Sequence, residues 1–531
     1  MKQYQHKENQ LSQNDIDHIK AHGLTKAAVL HQIRIFEKGI KYVQLARPCL
    51  IDDGIVPLAD DDLLPLAEAF QPAIDEGRVM KFVPASGAAT RMFQLLQSLN
   101  NVYNNIDRRM LNSEDPQIDQ NLKWFRDFIY EIHDFAFFEE LQEALKQKEI
   151  DIQDLLDKGQ YKEILRTILD PDGLNYPSIP KALIKFHSYG REFRTAFEEH
   201  LVESIEYTKD TSGICRLHFT VNQKYLKAFE AVTQKLIRNY EASGITFDIG
   251  LSIQKTSTDT ILFELDNTVF HNEKGDLVFN PGGHGSLLEN LNNLNGDIIF
   301  LKNIDNIAHG RLQSRITLYY KALGGMLIKL QQQCFTFLEI LVPFIEGEGN
   351  PNGIQAAKIS EIEQFCRTKL GIILPEVSDI KEKITLLWNM LNRPIRVCGM
   401  IKNEGHPGGF PFWVKNKDNT ISGQIVETNQ VNPYMPDQHD IFNASTHFNP
   451  VNIVCGVRDF RGKKFDLKKF VDPDTCFISV KTKHGKPIQI LEHPGLWNGS
   501  MADWITVFAE VPSETFSPVK QVMDLRKPNH Q

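Results

Sequence analysis

What most constrains this chain is a series of short apolar runs, rich in β-branched residues, set between long stretches of helical spacing. Val79-Met-Lys-Phe-Val83 is followed by Arg216 to Val221, Phe247 to Ile253, Asp297 to Leu301, Ile395 to Ile401, Gly423 to Glu427, Val451 to Val457, Phe477 to Lys481 and Pro487 to Leu491. Runs of this length bounded by turn residues read as buried strands, and strands interleaved with helices predict an α/β sheet, with mixed strand order left open. The 531 residues exceed what one small core needs, and a composition of 41% hydrophobic and 24% charged residues is that of a globular chain. No solenoid-length repeat and no low-complexity tract interrupts it.

Charge narrows the function classes. Acidic residues outnumber basic ones, 68 to 59, for a net charge of −9 and no dense basic stripe, so nucleic-acid binding is not expected as the main task. The opening Met-Lys-Gln-Tyr-Gln-His-Lys-Glu lacks the apolar core of a secretory signal. The longest apolar run, Cys334 to Ile345, is about half a membrane span and contains Glu339, so no membrane association is expected. Seven scattered cysteines with no Cys-x-x-Cys pair read as small buried core residues of a cytoplasmic protein.

The first 75 residues read as helical and form a cap or collar: Ser12-x-x-Asp15 is a capping box, Gly23 a stop, and Thr25 the cap of a second helix ending near Gly39. Trp124, Phe125, Phe128, Ile129, Ile132 and Phe135 recur at three- and four-residue intervals, a core stripe within a helical stretch from about 95 to 205. A second helical stretch runs from about 311 to 392. An N-terminal helical cap is therefore expected over 1–77, ahead of a larger α/β region that carries those two helical stretches.

The chemistry concentrates where strands end. Pro84-Ala-Ser-Gly-Ala-Ala-Thr-Arg-Met92 follows a strand and precedes a helical pattern. Small residues there let backbone N–H groups approach phosphate oxygens, and Arg91 can pair bidentately with a triphosphate. In Phe279-Asn-Pro-Gly-Gly-His-Gly285 the glycines free the backbone to meet a flat ligand edge, with His284 able to stack or hydrogen-bond. Asp297-Ile-Ile-Phe-Leu-Lys-Asn-Ile-Asp-Asn306 is an apolar strand with a polar end, where Asp305 can hold a hard divalent ion between phosphate oxygens.

Taken in order, these segments resemble the uridylyltransferases that make UDP-sugars. The first is similar to that family's L-A-G-G-x-G-T-R-[LM], with Ser86 and Ala89 standing at glycine positions, and the family's lysine shortly after the loop has no counterpart in Phe93-Gln-Leu-Leu-Gln97. The second is similar to the P-P-G-H-G loop around uracil, and the third to S-N-x-D-N, with Asn303 near the sugar and Asp305 near the metal. Further matches follow collinearly in Gly408-Gly409, Ile425-Val-Glu-Thr-Asn-Gln-Val431, Phe448-Asn-Pro-Val-Asn-Ile453, Cys476-Phe-Ile-Ser-Val-Lys-Thr482, Ile488-Gln-Ile-Leu-Glu492 and Val511 to Lys520, with Val451 where the family has asparagine.

The resemblance covers about residues 78 to 525 and implies a nucleotidyltransferase-like catalytic domain there, with the helical stretches at about 95–205 and 311–392 as insertions and a tail over 526–531. It implies a three-layer α/β/α nucleotide-diphospho-sugar transferase fold with a mixed central sheet, plus N-terminal helices and two helical insertions. It implies a Mg²⁺-dependent reaction of UTP with a sugar 1-phosphate, giving a UDP-sugar and pyrophosphate. Nucleotide contacts fall on Ala85, Ser86, Gly87, Ala88, Ala89, Thr90, Arg91, Gln254, Gly283, His284 and Gly285. Sugar contacts fall on Asn303, Gly408, Gly409, Glu427, Asn449 and Asn452, the metal on Asp305, and phosphate neutralisation on Arg91 and Lys481, with Lys520 a secondary phosphate contact. The chain ends soon after Pro518-Val-Lys520, so the C-terminal β-helix that many relatives use for assembly is not expected. A glycosyltransferase of the same fold and a non-catalytic nucleotide-sugar sensor are the alternatives.

Overall fold

The computed structural model describes residues 11–112, 120–350, 353–483 and 486–531. The opening residues read above for a signal segment lie outside it, as do short parts of both helical stretches. The chain divides into two compact units: Met1–Met80 with Ile253–Leu301 and Tyr319–Ser513, and Lys81–Ser252 with Lys302–Leu318 and Glu514–Gln531. No helix among the described residues is long and apolar enough to cross a membrane.

The first unit is built on a mixed sheet. Strands Leu50–Ile51, Gly54–Val56, Ile505–Glu510, Ile395–Lys402, His447–Gly456 and Ile298–Leu301 follow one another in space. Ile395–Lys402 runs parallel to Ile505–Glu510 and antiparallel to His447–Gly456, which explains why every residue of His447–Gly456 is buried. Gly409–Lys415 and Ile421–Glu427 form a hairpin that joins this sheet where Gly409 faces Asn449. A separate four-stranded sheet orders Phe279–Asn280, Thr260–Phe263, Lys486–Glu492 and Phe477–Lys483.

The N-terminal helices Gln13–Ala21 and Lys26–Lys38 form as their caps predict. Ser12 and Asp15 exchange both capping-box bonds, Thr25 accepts from Ala28 N–H, and Gly39 ends the second helix at φ +78°. Their apolar faces, Ile19, Val29, Ile33 and Phe36, pack on Ile261, Phe263 and Leu491 of the four-stranded sheet. The helical reading of the first 75 residues fails between them and the helix Asp60–Asp75, because Leu45–Pro48, Leu50–Ile51 and Gly54–Val56 are strands. These segments are too short for period-two patterning; Leu45–Pro48 and Gly54–Val56 become strands by pairing with distant partners such as Val414 and Phe508, and Leu50–Ile51 by pairing with Gly54 and Ile55.

The second unit holds strand Val79–Pro84 from Lys81 onward, parallel to Ile214–Val221, with Thr246–Ile253 beyond it. Helices Gln94–Val102, Gln120–Tyr130, Phe138–Lys146, Ile152–Lys158 and Tyr161–Leu169 occupy the first helical stretch, but its reading as helical fails at Lys185–Tyr189 and Glu192–Thr195, which pair as a two-stranded antiparallel sheet before the helix Ala196–Thr208. Phe125, Phe128, Ile129, Ile132 and Phe135 are buried in one core with Val83 and Phe219 of the strands. Each such ring contributes about 2–3 kcal/mol by leaving water. All seven cysteines are buried free thiols, as their apolar settings predict.

Candidate functional site

In the second unit the chain leaves the strand at Pro84, and Ala85 extends the ladder by one bond, donating to Thr220 O at 2.8 Å. It then turns through Ser86, Gly87 and Ala88, whose N–H groups take no hydrogen bond among the described residues. A Cβ at Gly87 would meet nothing, so the space over this backbone is open. Two bonds fasten the loop from behind: Ala89 N–H donates to Ile179 O at 2.9 Å, and Lys181 N–H donates to Gly87 O at 3.1 Å. Thr90 Oγ1 adds a bond to Pro177 O at 2.8 Å. Arg91 closes the short turn Ala89–Arg91, exposed and without an ion pair among the described residues.

The segment that fastens the loop carries a charge no motif had singled out. Lys181 Nζ, buried, donates to Asp305 Oδ2 at 3.0 Å and to Val519 O at 2.8 Å. Lys520 Nζ reaches the same Oδ2 at 2.8 Å. Burial alone would raise the Asp305 pKa, but the two ammonium groups outweigh it and hold the carboxyl below its usual range. Burial lowers the Lys181 pKa against the pull of Asp305. Asp524 also acts on Lys181 but is itself paired with Lys527 at 2.7 Å, so two ammonium groups and Arg91 against Asp305 leave the group net positive, and what it suits is an anion.

Lys181 is a residue that the sequence reading did not single out. It lies beyond the helices from Gln94 to Leu169, and the paired backbones of Gly87–Ala89 and Ile179–Lys181 return it to the loop. The signal available in sequence was Ile179-Pro-Lys-Ala-Leu183, another polar break ahead of an apolar run. Asn303 is half-buried on the turn that ends at Asn306 and has no side-chain partner among the described residues.

In the first unit Lys481 and the Gly283–Gly285 loop meet at Glu492. Lys481 Nζ lies 3.0 Å from Glu492 Oε1, which also accepts from Ser479 Oγ at 2.9 Å. A Cβ at Gly283, where φ is +76°, would come within 2.8 Å of Glu492 Oε2. His284 stacks on Trp497 at 4.2 Å, accepts Leu496 N–H on Nδ1 at 3.0 Å, and turns Nε2 toward Glu427 Oε1 at 3.8 Å. Burial lowers the His284 pKa, with Glu427 and Glu492 pulling the other way. Gly285 is required because a Cβ would stand 2.1 Å from Pro494 O, so the glycines of this loop serve close packing.

Gly409 sits in the hairpin opposite Glu427, with Gly408 exposed beside it. Asn449 Oδ1 accepts Val451 N–H at 3.0 Å, while its buried Nδ2 and the buried Nε2 of Gln254 have no hydrogen-bond partner among the described residues. Asn452 instead faces the core, accepting from Tyr320 OH at 3.3 Å. Val451 has φ +65° in a bulge of the strand, a backbone that asparagine adopts readily and a β-branched residue does not.

The donor set around Asp305 tests the expected Mg²⁺. Oδ1 has no protein partner among the described residues, and these contain no group of three or more His, Cys, Asp or Glu side chains that could hold a metal ion. The set fits an ion held by one carboxylate together with phosphate oxygens, not one held by protein alone. A cavity of about 890 Å³ in the first unit is lined by Lys41, Lys417, Asp472 and Asp474, already joined in ion pairs, and by none of the positions above.

An α/β protein with a net-positive group at strand ends is thus defined. The sequence matches, over residues 12–531, the family described as "Domain of unknown function (DUF4301)", and the chain belongs to that family. No curated protein matches it. Among solved structures it is similar to a UDP-glucose pyrophosphorylase mutant from Leishmania major in complex with UDP-glucose, at 12% identity and a TM-score of 0.42, covering 97% of this chain and 78% of that one. A UDP-N-acetylglucosamine pyrophosphorylase from Trypanosoma brucei in complex with an inhibitor is similar at 11% identity and a TM-score of 0.43, covering 94% and 74%. A putative UDP-N-acetylglucosamine pyrophosphorylase from Entamoeba histolytica is similar at 10% identity and a TM-score of 0.40, covering 91% and 85%.

Proposed function

We propose that the chain is a nucleotidyltransferase that joins UTP and a sugar 1-phosphate to give a UDP-sugar and pyrophosphate. The observation that carries this reading is the net-positive group of Lys181, Lys520 and Asp305 tied to a loop with three unpartnered amides and a free Arg91. A phosphate oxygen of the sugar 1-phosphate attacks the α-phosphorus of UTP, and the bond from that phosphorus to the β-phosphate bridging oxygen breaks. The nucleophile is already ionised near neutral pH, so no general base is needed, and alignment with charge neutralisation supplies the rate. Arg91 and Lys181 hold the β- and γ-phosphates, with Lys520 a further contact, and Lys481 meets the charge that grows on the α-phosphoryl group. Gln254 and the Gly283-His284-Gly285 loop face the base, while Asn303, Glu427 and Asn449 accept or donate to the sugar. Asp305 Oδ1 would hold Mg²⁺, which supplies electrostatic neutralisation of the triphosphate.

A second reading, a nucleotide-sugar sensor without turnover, is favoured by the ion pair that engages Lys481 with Glu492. Pyrophosphate release with Mg²⁺, measured across nucleoside triphosphates crossed with sugar 1-phosphates, separates the two. Release that requires both a uridine triphosphate and one sugar phosphate supports the transferase. Nucleotide binding without release from any pair supports the sensor.

A further inference from the structure

The helix Ala196–Thr208, capped by Thr195, presents His200, Glu203 and Tyr207 at i, i+3 and i+7, one face of the helix, and all three are buried. Glu203 is shared by two ammonium groups: Lys81 Nζ donates to its Oε2 at 2.5 Å and Lys302 Nζ to its Oε1 at 2.6 Å. Lys81 opens the part of the strand that leads to the loop at 85–91, and Lys302 stands three residues before Asp305. Lys81 also donates to His200 O at 2.9 Å, and Tyr207 OH to Glu203 Oε2 at 3.0 Å. His200 Nε2 donates to Ile304 O at 3.1 Å, in the turn that carries Asp305. At its N-terminal end the helix holds the Lys181 segment as well, since Ala196 N–H donates to Ile184 O at 3.1 Å and Glu199 Oε1 bonds His187 Nδ1 at 2.9 Å.

One helix therefore touches the strand that leads into the loop at 85–91, the turn that carries Asp305 and the segment that follows Lys181. Two buried cations on one buried carboxylate are also more than stability asks for, because an apolar set of the same volume would avoid the desolvation penalty. We propose that helix Ala196–Thr208 is the brace that sets the geometry of this group, with Glu203 as its positioning residue through Lys81 and Lys302. The inference rests on the phosphate-binding reading above.

Around Lys81 the charged and titratable neighbours are Glu199, His200, Glu203 and Tyr207 from the helix and Lys302 from the turn after Ile298–Leu301. Burial lowers its pKa to about 7, with Glu203 the main group opposing it. Without that carboxylate both lysines shed their protons at lower pH. Tripolyphosphate binding to the full chain, measured calorimetrically at about pH 7.5 and about pH 6, tests the proposal. Glu203→Gln is expected to weaken binding by about tenfold or more at the higher pH and by clearly less at the lower one. The ligand's own protonation cancels in the ratio to the parent protein. Tyr207→Phe keeps the carboxylate and removes one bond, so it serves if Glu203→Gln does not fold, with a loss of roughly two- to fivefold.

Parent-like affinity in a folded variant overturns the proposal and leaves the phosphate-binding reading standing. A loss equal at both pH values, tracking only a fall in Tm, assigns Glu203 a structural role and also overturns it. No tripolyphosphate binding by the parent protein overturns both.

Discussion

Lys181 and Lys520 touch the same oxygen of Asp305, yet their surroundings make them unequal. The Lys181 side chain is 11% exposed and that of Lys520 61%. A charge-assisted contact to an anion made by a buried ammonium is worth about 1.5–3 kcal/mol, so Lys181→Met should weaken tripolyphosphate binding by roughly 10- to 150-fold. The exposed Lys520 is screened by water and salt, and its contribution of about 0.2–1 kcal/mol predicts a loss of roughly fivefold at most for Lys520→Met. Raising the salt to about 0.5 M should erase the Lys520 effect and preserve most of the Lys181 effect, since buried pairs escape screening. Stability should follow a different order. Either single variant leaves Asp305 one cation and changes stability by about 1 kcal/mol or less, whereas the double variant leaves a buried, unpaired carboxylate and costs about 3–5 kcal/mol. Calorimetric titration and urea denaturation measure the two quantities on the same samples. Equal affinity losses in the two single variants, or a larger loss for Lys520→Met, would refute the ranking by burial.

Three further outcomes can be checked separately. Lys481→Ala should lower turnover by roughly a hundredfold or more while UTP binding is kept, because the charge it meets grows only at the transition state, and single-turnover kinetics would show it. Val451→Asn should change stability by about 1 kcal/mol or less, as relief of the left-handed strain offsets the lost apolar burial, whereas Val454→Asn, in regular ladder, should cost about 3 kcal/mol or more by chemical denaturation. Burial depresses the pKa of His218 to about 4 and of His530 to about 3, so between about pH 6.5 and those values the unfolded chain binds protons that the native one does not. Stability is then full above about pH 6.5 and falls as the pH drops from there toward 4; a flat Tm across that window would contradict the neutral burial of these histidines.

The strands legible in sequence were those whose own residues reveal them. Ile395–Lys402 and Ile214–Val221 carry enough consecutive β-branched and apolar residues to declare burial locally. Gly409–Lys415 did not, because Pro411 within it argues against a strand, and only its place in a hairpin beside Leu45–Pro48 accommodates the missing donor. The short strands Leu45–Pro48 and Gly54–Val56 likewise borrow their conformation from partners hundreds of residues away.

The candidate site divides in the same way. The loop at 85–91, the turn at Asp305 and the Gly-Gly-His-Gly segment stood out in the sequence, since small residues, a polar strand end and clustered glycines are local signals, and their order along the chain carried the resemblance. Tertiary structure decided which charge meets which. It placed Lys181 on Asp305 across intervening helices, shared Glu203 between Lys81 and Lys302, stacked His284 on Trp497, and gave Val451 a left-handed backbone. Sequence spacing determines the periodicity of an element and so which residues share its face. The partner of a buried charge is instead set by desolvation, which favours pairing with whatever opposite charge the folded chain brings near, regardless of separation along the sequence.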